Sequence, residues 1–237
     1  MLCRNVISLT LPGNLFRAMR IRTVAAAIGL LACLPLHAAP VSKAALALHK
    51  RVLVLDSHMD TARLLEQPGW NILERHDAAR DLSQMDWPRL REGGLDGAFW
   101  AIYTPQGSRD LQGRAEAAEH GLAQLMRLHD LLARYPRQFG LALSSEDARR
   151  LKAEGRHAVF ISMENAEPLA SDPALLETYQ RQGLRMLGLV HTSNNDLADS
   201  ATDAPEWHGL SPAGRQLVHR ANCLGVVSIP RQSRGLY

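Results

Sequence analysis

The chain has 237 residues with 27 basic and 24 acidic side chains, and its basic excess lies in the first 38 residues. Those residues contain Arg4, Arg17, Arg20 and Arg22 and no acidic residue, so the remaining chain has 23 basic and 24 acidic side chains and a net charge near −1. This balance gives no electrostatic support for nucleic-acid binding.

The first 38 residues have the three parts of a secretory signal peptide. The basic residues are followed by the apolar stretch 24–36 and then by Ala38-Ala39-Pro40, and the apolar stretch is too short to span a bilayer. We therefore expect a signal peptide over 1–38, a mature domain over 39–237, and export to the periplasm or outside the cell. Cys33 follows Leu30-Leu31-Ala32, which leaves open a lipoprotein tethered to a membrane through this cysteine.

The first strand signal is followed by three possible metal ligands. The apolar run 52–55 predicts a strand, and Asp56, His58 and Asp60 follow it at two-residue spacing. Side chains at positions i, i+2 and i+4 of a strand share one face, so this spacing predicts three ligands that project into one volume. Histidine and carboxylate side chains suit several divalent metals. The alternative is a turn after a buried strand that is rich in Asp and His.

Further strands and helices alternate along the chain. Apolar runs predict strands over 95–103, 158–163, 184–190 and 225–229. The helical period of 114–135 predicts a helix with one buried face, formed by Ala118, Leu122, Leu125, Met126, His129 and Leu132. Capping patterns predict further helices that start at Ser145, Asp172 and Ser211.

The alternation of strands and helices predicts a parallel α/β sheet, either a barrel or an open doubly wound sheet. The sequence contains neither Gly-x-Gly-x-x-Gly nor a Gly-Lys-Ser/Thr phosphate loop, which weakens the nucleotide-binding version of this fold. A complete eight-fold barrel needs about 250 residues, whereas 199 residues follow position 38 and five strands are predicted. We therefore expect an incomplete barrel.

Two more polar residues stand where predicted strands end. Glu164 follows the run 158–163 and His191 follows the run 184–190, and α/β barrel enzymes display functional groups at the carboxyl ends of their strands. A buried carboxylate there needs a cation or several donors to stay charged, and a metal ion is one solution. A glutamate that caps a helix or pairs with arginine, and a structural histidine, are the alternatives.

These residues lie in segments that resemble the membrane (renal) dipeptidase family of zinc peptidases. Asp56-Ser57-His58-Met59-Asp60 resembles the family's Asp-Gly-His-Asn-Asp segment, and 89–100 looks like its second-strand signature. Glu164 in its Met-Glu-Asn-Ala context, 187–192, and 209–214 followed by 224–226 match in the family's order. The resemblance extends from about residue 44 to residue 227.

The resemblance implies a TIM-type (β/α)8 metal-hydrolase barrel that hydrolyses dipeptides by metal-activated water. It implies that His58 and Asp60 bind a first zinc ion and that Glu164 is a catalytic carboxylate bridging two zinc ions. It also implies that His191 is a catalytic histidine that contacts the substrate. Asp56 would then orient a ligand.

The match ends after about Val227. The family's later zinc-binding histidines, its substrate-binding arginine and its catalytic aspartate have no counterpart in 228–237, and His208 and His219 are weak candidates to replace them. We therefore expect a truncated or frameshifted member that holds at most one zinc ion and is a poor dipeptidase. Two alternatives stay open: an inactive remnant that binds at most one metal ion, and another metal hydrolase of the amidohydrolase type.

Overall fold

Six parallel strands form the sheet of the computed structural model, which describes residues 41–229. They are β1 (Leu55–Met59), β2 (Gly97–Tyr103), β3 (Phe139–Leu141), β4 (His157–Glu164), β5 (Leu184–Gly188) and β6 (Val227–Ile229). The order across the sheet is β1-β2-β4-β5-β6, and the short strand β3 pairs with the beginning of β4. Within residues 41–229, β1 and β6 do not pair with each other, so the sheet is open.

In the described residues, the first α-helix precedes β1, and six further α-helices and two 3₁₀ helices lie between successive strands. The α-helices are α1 (Lys43–Arg51), α2 (Ala78–Asp81), α3 (Trp87–Gly93), α4 (Leu111–Arg134), α5 (Ser145–Ala153), α6 (Leu175–Arg181) and α7 (Pro212–Cys223), and the 3₁₀ helices are Asp60–Glu66 and Glu167–Leu169. The hydroxyl of Ser211 accepts the Gly214 N–H at the start of α7, as predicted, and Ser144 caps α5 in the same way. The third predicted helix begins at Leu175, because Asp172 forms a turn before it by accepting the Ala174 N–H.

The chain divides into two units, Met1–Lys43 and Ala44–Tyr237, and the sheet lies in the second. The predicted signal peptide, Cys33 and residues 230–237 fall outside the described residues. Among residues 41–229, no helix has the length and apolar character needed to cross a membrane.

A strand lies at each of the five predicted runs, but the first, Leu55–Met59, shares only Leu55 with the predicted run 52–55, and the ends of the others also differ from the prediction. The first begins at Leu55 because Val54 is held by a loop residue: its N–H donates to the Asp96 carboxylate at 2.8 Å, and its carbonyl accepts the Asp96 N–H at 2.9 Å. The strand β3 was not predicted, since its three residues, with Gly140 at the centre, are too few to show a hydrophobic pattern.

The central strand β4 is buried along its whole length and separates two cores. On one face, Val159, Ile161 and Met163 pack into the main core together with residues of α4, α6 and α7, which include Leu125, Leu128, Tyr179 and Leu217. On the opposite face, Ala158 and Phe160 pack against Ala148 and Leu151 of α5. Because side chains alternate along a strand, Ser162 and Glu164 continue this second face toward the carboxyl end of β4.

The predicted helix over 114–135 is confirmed as α4, but its predicted buried face is only partly correct, since Leu125 is buried and Leu132 packs against the core. Leu122 and Met126 are 37% and 58% exposed, whereas the buried residues are Gly113, Ala117, Gly121, Gln124, Leu125, Leu128 and Leu131. A side chain at Gly121 would approach the Tyr179 hydroxyl at 2.8 Å and Pro168 at 2.9 Å. The helix therefore packs through small residues that carry little hydrophobic signal in the sequence.

A buried histidine links β2 to β4. The indole N–H of Trp100 donates to Nε2 of His157 at 3.3 Å, and Nδ1 of His157 lies 3.2 Å from the Leu95 carbonyl oxygen. Both contacts suit a neutral imidazole whose proton is on Nδ1. Burial lowers the pKa of His157 to about 4.

We predict that His157 makes the fold sensitive to acid. Between about pH 6.5 and pH 4 the unfolded chain binds a proton at this histidine and the folded chain does not, so stability falls as the pH falls. The unfolding free energy of the wild type minus that of His157→Gln should be about 3 kcal/mol smaller at pH 4 than at pH 7. Urea unfolding followed by tryptophan fluorescence measures it, and a difference independent of pH would contradict the assignment.

Candidate metal centre

Three predicted ligands converge at the carboxyl ends of β1 and β4. Nε2 of His58 lies 3.2 Å from Oδ1 of Asp60 and 3.3 Å from Oε2 of Glu164. One ligand atom from each residue lies within 4.8 Å of the other two, and residues 41–229 contain no other group of three His, Cys, Asp or Glu residues this close. His208 and His219 are not part of the group.

The local backbone explains why Asp56 is not part of this group. Its Oδ1 accepts the backbone N–H of His58 at 3.0 Å, so the carboxylate turns back onto its own strand. The pairing of β1 with β2 is also irregular between Asp56 and Met59, and the 3₁₀ helix begins at Asp60. The strict alternation behind the three-ligand prediction is therefore interrupted, and Asp56 fixes the backbone of His58 instead.

Glu164 is placed between two imidazoles. It is the last residue of β4 and pairs in register with Tyr103, the last residue of β2. Its side chain is 10% exposed, with Oε2 facing His58 and Oε1 lying 3.6 Å from Nε2 of His191. The two carboxylate oxygens are thus directed at different partners.

Electrostatics favour a positive charge at the centre of the group. Hydrogen bonds to Asp60 and then to Glu164 raise the pKa of His58 to about 10, and the hydrogen bond to His58 lowers the pKa of Asp60. A proton on His58 therefore supplies, in the metal-free chain, the positive charge that two carboxylates require. The donor set of one imidazole nitrogen and carboxylate oxygens fits zinc, which binds such ligands in tetrahedral sites and leaves one position for water when three come from the protein.

His191 lies three residues beyond β5, on the other side of Glu164. Its ring makes an edge contact with Tyr103, with ring centroids 5.2 Å apart. Its Nδ1 is buried and makes no hydrogen bond to another described residue. Burial, followed by the charges of Glu164 and Asp60, raises the pKa of Tyr103, so this phenol stays neutral beside the carboxylates.

Sequence reasoning gave Tyr103 no role. The rule that selected Glu164 and His191 could have found it, because Tyr103 also ends a strand. Its aromatic ring carries no metal-ligand signal, and only the register with Glu164 places it at the site.

Two depressions flank the ligand group. A cleft of about 440 Å³ has walls that include Ser57, His58, Ser162, Glu164, Met186 and Gly188. A smaller depression of about 210 Å³ lies on the other side of His58 and contacts Asp60, Arg63 and Met85. Apart from His58 and Glu164, the named walls of the larger cleft are neutral, whereas the smaller depression has the charged side chains of Asp60 and Arg63 in its wall.

The sequence profile of the membrane dipeptidase family, peptidase family M19, matches residues 42–229. The chain belongs to this family. "Dipeptidase tcpJ" of Claviceps purpurea is 29% identical in an alignment of 182 positions that covers 73% of this chain and 42% of the relative. The chain spans about two fifths of the length of the curated dipeptidases it matches.

Solved structures of similar proteins confirm the predicted fold. The probable dipeptidase PvdM from Pseudomonas aeruginosa has a TM-score of 0.72 and 32% identity, and the match covers 81% of this chain and 49% of that one. A metallo peptidase from Rhodobacter sphaeroides, solved with a phosphinate mimic of the dipeptide L-Ala-D-Ala, has a TM-score of 0.65 and 26% identity over 77% of this chain and 59% of that one. The six described strands are an incomplete TIM-type barrel of the dipeptidase family.

Another buried carboxylate, Glu167, lies three positions after Glu164 in the chain. It is 1% exposed, and neither of its oxygens makes a hydrogen bond within 3.5 Å to another described residue. Burial and then the charge of Asp196 raise its pKa to about 7, although Gln106, Arg114 and Arg109 oppose the shift. Sequence reasoning missed Glu167, because nothing in the sequence indicates its burial.

We predict that Glu167 weakens the fold at high pH. Between about pH 4.5 and pH 7 the folded chain keeps a proton that the unfolded chain has lost, so stability falls as the pH rises. The unfolding free energy of Glu167→Gln minus that of the wild type should therefore rise by about 3 kcal/mol between pH 4.5 and pH 8. Urea unfolding at the two pH values gives this change, and an equal effect at both would show that folding does not raise the pKa of Glu167.

Proposed function

We propose that this chain carries the zinc-binding part of an exported dipeptidase. His58, Asp60 and Glu164 are its zinc ligands, and Glu164 and His191 act on the substrate. The observation that carries the proposal is the convergence of one imidazole and two carboxylates within 4.8 Å at the strand ends of a membrane dipeptidase family member. The dipeptidase names of the relatives support a dipeptide substrate.

A zinc ion held by these ligands would lower the pKa of a bound water molecule and polarise a peptide carbonyl. The protein groups around it have separate tasks. Glu164 directs Oε2 toward His58 and Oε1 toward His191, so its second oxygen favours the tautomer of His191 that carries its proton on Nε2. The side chain of His191 is one-third exposed, and its Nε2–H can donate to a substrate oxygen on which negative charge develops.

The lining of the larger cleft supports a small, uncharged substrate side chain. Ser162, Met186 and Gly188 contribute hydroxyl, thioether and backbone surface there. The charged groups are concentrated at the ligand end, in His58 and Glu164. A dipeptide can therefore place a neutral side chain in the cleft while its peptide bond lies at the ligand group.

Zinc binding is the decisive test of the proposal. We expect the purified chain to retain one zinc ion, since the described residues supply three protein ligands for one tetrahedral site. His58→Ala should weaken the affinity at least about a hundredfold, because a ligand is lost. Equilibrium dialysis gives both numbers.

His219→Ala is the matched control for this measurement. His219 lies in α7 with its ring near Cys223, outside the ligand group. Its replacement should leave the zinc content at one. Equal zinc retention by His58→Ala and His219→Ala would contradict the site.

Hydrolysis of dipeptides tests the activity itself. We expect slow, zinc-dependent turnover of a dipeptide such as L-Ala-D-Ala, because the described ligands suffice for one metal ion only. Glu164→Gln should lower kcat by at least about 10³-fold, since it removes a ligand and a charge that acts on the transition state. A zinc-loaded chain that hydrolyses no dipeptide would favour the inactive metal-binding alternative.

We also propose export, with cleavage after Ala38. The arginines and the apolar stretch 24–36 support it. Mass spectrometry of protein recovered from the periplasm or medium should give a chain that begins near Ala39. An intact cytoplasmic chain would contradict export, and a lipid on Cys33 would replace cleavage after Ala38 with a lipoprotein anchor.

A further inference from the structure

Two buried asparagines join three strand ends beneath the ligand group. Asn165 and Asn195 are fully buried, and Nδ2 of Asn195 donates to Oδ1 of Asn165 at 2.9 Å. Nδ2 of Asn165 donates in turn to the Thr104 carbonyl at 2.8 Å, and Nδ2 of Asn195 donates to the Leu189 carbonyl at 2.7 Å. This amide pair, Asn165–Asn195, therefore ties the carboxyl ends of β2, β4 and β5 together.

Each tied segment carries a residue of the candidate site. Thr104 follows Tyr103, Asn165 follows Glu164, and Leu189 lies two residues before His191. Two backbone hydrogen bonds run alongside the amide pair: the Thr104 N–H donates to the Glu164 carbonyl at 3.2 Å, and the Ala166 N–H donates to the Leu189 carbonyl at 3.1 Å. The amide pair thus supports the three backbones from which Tyr103, Glu164 and His191 project.

The backbone at Asn165 needs this support. Its φ is +63°, in the left-handed region, which asparagine adopts more readily than other residues with a Cβ. This turn ends β4 immediately after Glu164 and so fixes the direction in which the carboxylate leaves the sheet. A conformation of this kind persists where the surrounding structure holds it, and strain of this sort is concentrated at functional sites.

The amide pair is also well satisfied, which limits it to one arrangement. Oδ1 of Asn195 accepts the N–H groups of Leu197 and Ala198 at 2.8 Å and 3.0 Å. Breaking the bond to the Leu197 N–H or to the Ala198 N–H leaves a buried backbone donor without a partner, at a cost of about 1–3 kcal/mol. Satisfied buried networks hold a single geometry for this reason.

We propose that Asn165 and Asn195 are positioning residues of the metal centre, and that their amide pair sets the place of the Glu164 carboxylate relative to His58 and His191. The inference rests on the proposed zinc site. The contacts of both asparagines with these segments are hydrogen bonds to backbone carbonyls, so they act on Glu164 and His191 through the backbone.

The test compares two amide variants with a neighbouring control. Asn165→Gly removes the amide and keeps a residue that adopts positive φ at low cost, and Asn195→Ala removes the other half of the pair. Asn194→Ala is the control, because Asn194 donates to the Ala204 carbonyl and accepts the Ser200 N–H, and so bonds within its own loop. Zinc affinity, the visible absorption of the Co²⁺-substituted chain and the unfolding free energy are measured for all three.

We expect Asn165→Gly and Asn195→Ala to weaken zinc binding about 10- to 100-fold, as loss of groups that orient metal ligands does elsewhere, and to change the Co²⁺ spectrum of a chain that is still folded. Asn194→Ala should lower stability and leave both metal readouts as in wild type. Should Asn195→Ala fail to fold, Asn165→Gly decides the question.

Wild-type affinity and an unchanged Co²⁺ spectrum in the folded amide variants would overturn the inference, and so would the same metal changes in Asn194→Ala. A wild-type chain that binds no zinc, or binds it equally well without His58, would instead overturn the proposed zinc site. The two failures are therefore distinguishable.

Discussion

A carboxylate at the end of a fully buried strand is the feature on which the site depends. All eight residues of β4 are buried, and Glu164 is the last of them. A charge in that position loses most of its hydration and must be compensated by nearby donors or cations. His58 from β1 and His191 from the segment after β5 approach its two oxygens from opposite sides, so the strand order of the sheet determines which groups can reach it.

The roles of Glu164, His58, Asp60 and His191 stay predictions, but the structure brings these residues together, as expected from the rule that polar residues end apolar strands. It failed at Asp56 for a local reason, since a hydrogen bond to the His58 N–H turns this carboxylate back and the strand is irregular there. It also misplaced part of the buried face of α4. Gly121 packs against Tyr179 and Pro168 through the absence of a side chain, and hydrophobic periodicity cannot record such a contact.

Other parts of the site depend on contacts between residues far apart in the chain. Asn165 and Asn195 are 30 positions apart, and Thr104 is 61 positions from the Asn165 amide that it accepts. Asparagine is common in loops and turns, so neither residue is conspicuous in the sequence. The environment of Glu167 arises in the same way, from Asp196 and from Arg109 and Arg114, which lie far from Asp196 in the chain.

The strand order has a mechanical consequence for metal affinity. β2 lies between β1 and β4, so two interstrand spacings of about 4.8 Å separate the backbones that carry His58 and Glu164. Their side chains meet at 3.3 Å across this gap. A metal ion bound to both would therefore join β1 to β4, two strands that do not pair with each other. By mass action, each tenfold rise in free metal above Kd would add about 1.4 kcal/mol to the stability of the folded form.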